Sequence, residues 1–170
     1  MNFLEAKIEG LALDMTTNSP VVILAPDKIN KVLPIWIGHA EAWGIAMELS
    51  QIKSKRPMTY DLLREVITTL QAKVERVEIT ELKDQTFYAS IQLVAGDKSY
   101  RIDARPSDSI ALALKLNARI FVNEALFGLT ETTDEPSATP PETPPMPTDP
   151  ESLRERLKKI NPEDFGNYSL

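Results

Sequence analysis

The chain has no cysteine and one histidine, His39, among its 170 residues. Without thiols there is no disulfide scaffold, no thiolate zinc site and no cysteine nucleophile. With one imidazole there is no multi-histidine metal cage. Long hydrophobic runs are missing as well, the stretches near Val21 and Ile110 reaching no more than about six residues. No signal peptide and no membrane span is therefore read, and a cytoplasmic protein is expected. No GxGxxG, Walker-type, HExxH or GxSxG string occurs, so the common nucleotide-fold and hydrolase-triad signatures have no support. A basic excess is lacking too. The net charge of −6 argues against a polyanionic partner until it is divided by region.

Proline and charge divide the chain at the same place. Five of the 13 prolines precede residue 130 and seven fall within 136–150. Residues 1–130 carry 16 acidic and 15 basic side chains, and residues 131–170 carry 9 and 4. The acidity thus belongs mostly to the tail, and the objection to nucleic acid largely disappears. The reading is a domain over 1–130, a Pro-rich acidic linker over 131–150, and a C-terminal tail over 151–170. Near the tail's start Asp149 suits a helix cap and Pro150 the first helical position, with Leu153, Leu157 and Ile160 on one stripe. So short a helix is not stable alone, so it docks on something, a protein partner included, or frays.

Within the domain the hydrophobic period changes repeatedly. Strands are expected around Leu4 to Ile8, at 21–24, 32–37, 74–82, 87–94, 99–104 and 120–122. Helices are expected at 41–51, at 59–72 with Leu63, Val66, Ile67 and Leu70 inward, and at 107–116, with a helical turn at 123–127. The fold class is α+β, a mostly antiparallel or mixed sheet with helices packed on it. Three strands then a helix occur twice, and at an offset of 67 residues Glu41 falls on Asp108 and Leu49 on Leu116. An internal duplication is one reading of this, and chance agreement between two strand-to-helix corners is the other.

Those corners carry the chemistry. A helix N-terminus offers unpaired backbone N–H groups and a positive dipole end to an anion. Asp103, Arg105, Ser107, Asp108 and Ser109 fall within seven residues at the second corner. With Glu41 and Asp61 they could form an all-oxygen Mg²⁺ or Mn²⁺ site that cleaves phosphodiesters, with Asp103, Asp108 and Glu41 as metal ligands. Arg105 and Arg56 would neutralise phosphate, and Thr59 and Ser107 would position oxygens. The bland alternatives are equally concrete. Acidic residues at helix starts are ordinary caps, Arg105 and Asp108 form a local ion pair, Ser107 and Thr59 are N-caps, and His39 is an exposed turn residue rather than a base. Trp36 and Trp43 are expected in the core, and the Lys53-Ser54-Lys55-Arg56 run either tracks phosphates or is a solvated loop.

These segments resemble the bifunctional nuclease domain family over about residues 3–128. The resemblance rests on Leu33-Pro34-Ile35-Trp36-Ile37-Gly38 with Glu41-Ala42, on Arg56-Pro57-Met58-Thr59-Tyr60-Asp61-Leu62-Leu63, and most specifically on Asp103-Ala104-Arg105-Pro106-Ser107-Asp108-Ser109-Ile110-Ala111-Leu112-Ala113. Tyr60 stands where the family pattern commonly has histidine, and His39 where it has proline. The resemblance implies a compact α+β domain that can self-associate as a homo-oligomer, and cleavage of both RNA and DNA. Two functional expectations follow. One is a metal-assisted nuclease of low sequence specificity. The other is a non-catalytic anion-binding or protein interaction module.

Overall fold

The computed structural model describes residues 2–128. The linker and tail expected over 131–170 lie outside the described residues. In chain order the elements are β1 Phe3–Asp14, β2 Ser19–Pro26, β3 Leu33–Trp36, α1 His39–Leu49, α2 Thr59–Thr69, β4 Ala72–Lys83, β5 Thr86–Ala95, β6 Lys98–Ala104, α3 Pro106–Leu116 and β7 Arg119–Asn123. A 3-10 turn, Glu124–Gly128, follows. The strands are longer than their apolar cores suggest, because tight turns let pairing run on to the hairpin ends. Asp84 and Gln85 both take positive φ, the geometry of a two-residue turn whose twist matches that of the strands.

The seven strands form one sheet in the order β3-β2-β1-β7-β4-β5-β6. All neighbours are antiparallel except β4 and β7, so the sheet is mixed and mostly antiparallel. Two three-stranded meanders, each followed by a helix, flank the inserted β7. α1 and α3 pack against each other, and α3 lies on β4, β5 and β7. Val22, Leu24, Ile35, Val77, Ile79 and Val122 from the sheet meet Ile45, Ile110 and Leu112 from these helices, all essentially inaccessible. Each such side chain contributes ~2 kcal/mol through burial. No helix among the described residues is long and apolar enough to cross a membrane.

Three local expectations are corrected. Of the α2 residues expected inward, only Ile67 packs on the core; Leu63, Val66 and Leu70 are exposed, since α2 rests mainly on α3 and β4 through its other side. Trp36 is 54% exposed on the short edge strand β3, its Nε1 donating to Asp14 Oδ2 at 2.8 Å. The caps shift by one or two residues. α2 starts after Met58 and α3 after Arg105, so Thr59 and Ser107 sit inside their first turns rather than capping them.

Candidate active site

Every helix of the domain carries a carboxylate at its third helical position: Glu41 in α1, Asp61 in α2 and Asp108 in α3. At that position a carboxylate sits by unpaired N–H groups and the positive end of the helix dipole. Asp61 uses this locally, accepting the Met58 backbone N–H at 3.0 Å. Because α1 and α3 start from equivalent corners and pack on each other, Glu41 and Asp108 meet. Both converge on Arg105, the residue just before α3. Its Nη2 lies 2.7 Å from Glu41 Oε1, and its Nε donates to Asp108 Oδ2 at 2.7 Å. A further bond runs from Nη2 to Asp108 Oδ1 at 3.1 Å. These contacts leave Nη1 unused. Asp108 first and Glu41 second hold the guanidinium firmly protonated against its partial burial.

Tyr60 completes this cluster by donating its phenol to Asp108 Oδ1 at 2.9 Å. Burial first, then Asp108, pushes the phenol well above its ordinary range, so Tyr60 is a proton donor and not a base at neutral pH. Two glycines make room for these side chains. A Cβ on Gly38 would collide with the Glu41 carboxylate, and one on Gly44 would sit 2.9 Å from Tyr60 Cε2. One helical repeat deeper lies a second cluster. Lys115 Nζ sits 2.5 Å from Glu48 Oε2 and 2.7 Å from Asp61 Oδ1, tying all three helices together. Burial alone would lower the Lys115 ammonium, but the two carboxylates outweigh it and raise it. Lys115 in turn, with the Met58 N–H, holds the Asp61 carboxyl below its usual range.

These groups line one cleft of about 950 Å³. Glu41, Glu48, Asp61, Asp108, Arg105, Lys115 and Tyr60 border it, Trp43 and Met47 add apolar wall, and Lys53, Lys55, Arg56, Thr59 and Arg64 border it too. The structure thus brings together six of the sequence-derived candidates: Glu41, Arg56, Thr59, Asp61, Arg105 and Asp108. It does not bring in Asp103, His39, Ser107 or Ser109, the last of them wholly buried. His39 is half-buried and off the cleft. Ser107 is buried. Asp103 pairs with Ser90 across β5 and β6, and Ser90 alternates with the core residues Ala89 and Ile91. Asp103 therefore stands on the sheet face turned away from the helices, beside Glu78, Gln92 and Arg76. The expected trio of Asp103, Asp108 and Glu41 is not assembled, and no group of three or more such side chains is gathered for a metal among the described residues.

Tyr60, Glu48, Lys115, Arg64, Gly38 and Gly44 were not read from the sequence as site residues. One signal was available. Glu41 and Glu48, like Asp108 and Lys115, are seven residues apart, which places each pair on one helix face two turns apart.

The bifunctional nuclease domain matches residues 22–134 of the chain. An uncharacterized protein of Mycobacterium tuberculosis is 33% identical over 166 residues, covering 95% of this chain and 97% of that protein. Bifunctional nuclease 2 of Arabidopsis thaliana is 26% identical over 112 residues, 64% of this chain and 34% of that protein. Bifunctional nuclease 1 of rice, Oryza sativa subsp. indica, is 24% identical over 116 residues, 66% of this chain and 35% of that protein. The similarity thus spans only about a third of each plant protein.

Proposed function

The chain belongs to the bifunctional nuclease domain family, and from that premise we propose that its cleft hydrolyses phosphodiester bonds in RNA and DNA with low sequence specificity. The observation that supports this best is the convergence of Glu41 and Asp108 on Arg105 within a cleft bordered by Lys53, Lys55, Arg56 and Arg64. The bordering cations hold backbone phosphates, contacts that carry no sequence information. Arg105 grips the scissile phosphate through the unused Nη1 and stabilises the charge that develops on it. Glu41 Oε2, outside the contact with Arg105, accepts the proton of the attacking water as the P–O bond to the leaving oxygen breaks, and that oxygen takes up a proton from solvent. Tyr60 keeps Asp108 oriented. If a divalent ion takes part, Glu41 and Asp108 would hold it without Asp103, in exchange for their contacts with Arg105, with water and substrate phosphate oxygens completing its shell. Such an ion would supply further neutralisation of phosphate charge.

The test is digestion of single-stranded RNA and DNA by the purified full chain with Mg²⁺, with Mn²⁺ and with chelator. Arg105→Ala and Asp108→Asn are run in parallel. Each substitution is expected to lower cleavage by about 100-fold, and wild-type rates in Arg105→Ala would assign the activity to a contaminant and sink the site. A second reading, a non-catalytic module that binds anions, is favoured by one observation: Glu41, Glu48, Asp61 and Asp108 all already have cationic partners. Oligonucleotide binding without any cleavage would select it.

A further inference from the structure

α2 presents an apolar stripe that nothing in the described chain covers. Leu62, Leu63, Val66 and Leu70 recur at the spacing of one helix face, yet they are 59%, 40%, 46% and 71% exposed. The inner side of the same helix, Tyr60 and Ile67, packs on the core. Contiguous exposed apolar surface of this kind marks a binding site. The stripe begins one turn from the loop holding Lys53, Lys55 and Arg56.

The chain itself continues beyond Gly128 with a complementary sequence. All five charged residues within 131–150 are acidic, and Leu153, Leu157 and Ile160 then follow at i, i+4, i+7. We propose that residues 149–160 dock through Leu153, Leu157 and Ile160 on the α2 stripe of the same chain and draw the acidic residues 131–150 along the basic loop bordering the cleft. Reach sets no obstacle. At ~3.1 Å per residue for a proline-rich path, residues 129–152 can extend roughly 75 Å, whereas the 12-residue β4 is roughly 40 Å long. Two charged partners and two apolar stripes are thereby matched within one chain. The domain match ends at residue 134, but the similarity to the mycobacterial protein spans 95% of this chain and necessarily includes residues 149–160.

The absence of cysteine makes the test clean. Full-length chains carrying Val66→Cys with Leu157→Cys are oxidised when dilute, beside a control pair of Arg101→Cys with Leu157→Cys. Arg101 pairs with Gln92 on the sheet face turned away from α2. The expected result is a disulfide within one chain, forming at least about tenfold faster in the first pair than in the control and at a rate independent of protein concentration. Equal rates in the two pairs, or disulfides only between chains, would overturn the proposal. As a second measurement, Leu153→Ser with Leu157→Ser should speed amide hydrogen exchange over residues 62–70; unchanged exchange there counts against docking. The consequence for the cleft rests on the nucleic-acid reading. If docking holds, the same double substitution should tighten binding of single-stranded oligothymidylate several-fold at low salt. A selective disulfide in a protein that binds no oligothymidylate keeps the docked tail and rejects the nucleic-acid cleft, so the two failures are distinguishable.

Discussion

Tyr60 and Lys115 show how single residues set the charge state of this site. Tyr60→Phe removes the donor to Asp108 Oδ1 without changing shape, and should cost about 1 kcal/mol in urea denaturation. Lys115→Met leaves Glu48 and Asp61 facing each other with no cation between them. A fully buried charge stripped of its partner costs ~3–5 kcal/mol; these groups keep some solvent, so about 2 kcal/mol is expected. The same pair gives a pH signature. Asp61 is held below its unfolded value of ~3.9, so its stabilising contribution is present above that pH and is lost as pH falls through the folded value. Lys115 is raised, so its contribution is present below ~10.4 and is lost as pH rises through its folded value. Denaturation midpoints of Asp61→Asn should therefore fall less steeply than wild type below about pH 4; parallel curves would remove this assignment.

At the scale of elements, the contact between α1 and the start of α2 depends on a missing side chain. Alanine in place of a helical glycine normally stabilises by roughly 0.5–1 kcal/mol, but at Gly44 the new methyl meets the Tyr60 ring at 2.9 Å. Gly44→Ala should thus be destabilising in the wild-type background and stabilising by roughly 0.5–1 kcal/mol once Tyr60→Ala has removed the ring. Equal effects in both backgrounds would show that the ring is not what Gly44 makes room for. Gly38 does the same for Glu41. Gly38→Ala should lower cleavage at least about tenfold by displacing that carboxylate while leaving the urea midpoint close to wild type, whereas full activity would dissociate Glu41 from the chemistry.

For the whole molecule, the separation of an almost neutral domain from an acidic tail predicts weak binding of polyanions that responds to salt. The affinity for a labelled single strand should fall steeply as salt rises, and Lys55→Ala and Arg56→Ala should each reduce the log–log salt slope by about 1 without changing sequence preference. Slopes unaltered by both substitutions would place the nucleic acid elsewhere. The sheet order reinforces the view that the site is a property of the assembly of helices. α1 and α3 start from equivalent corners of two meanders, and their partner residues Glu41 and Asp108, and Glu48 and Lys115, lie at the same offset of 67 residues. Each cluster draws on both halves.

Periodicity by itself determined the order and type of the elements from β1 to β7, because alternation and helical spacing are local consequences of burying one face. Local spacing also placed Glu41, Asp61 and Asp108 in first turns, and the family resemblance was legible in contiguous strings such as Asp103 to Ala113. What sequence could not decide was which of these acids face one another. Asp103 and Asp108 are five residues apart, yet the strand's two-residue alternation turns Asp103 to the open sheet face, while the packing of α1 on α3 brings Asp108 to Glu41 from 67 residues away. Likewise α2 has the pattern of an inward helix, and only its tertiary packing, with Tyr60 and Ile67 turned to the core, leaves Leu62, Val66 and Leu70 exposed. Burial and convergence are relations between elements, so they follow from the tertiary packing and not from the period of any one segment.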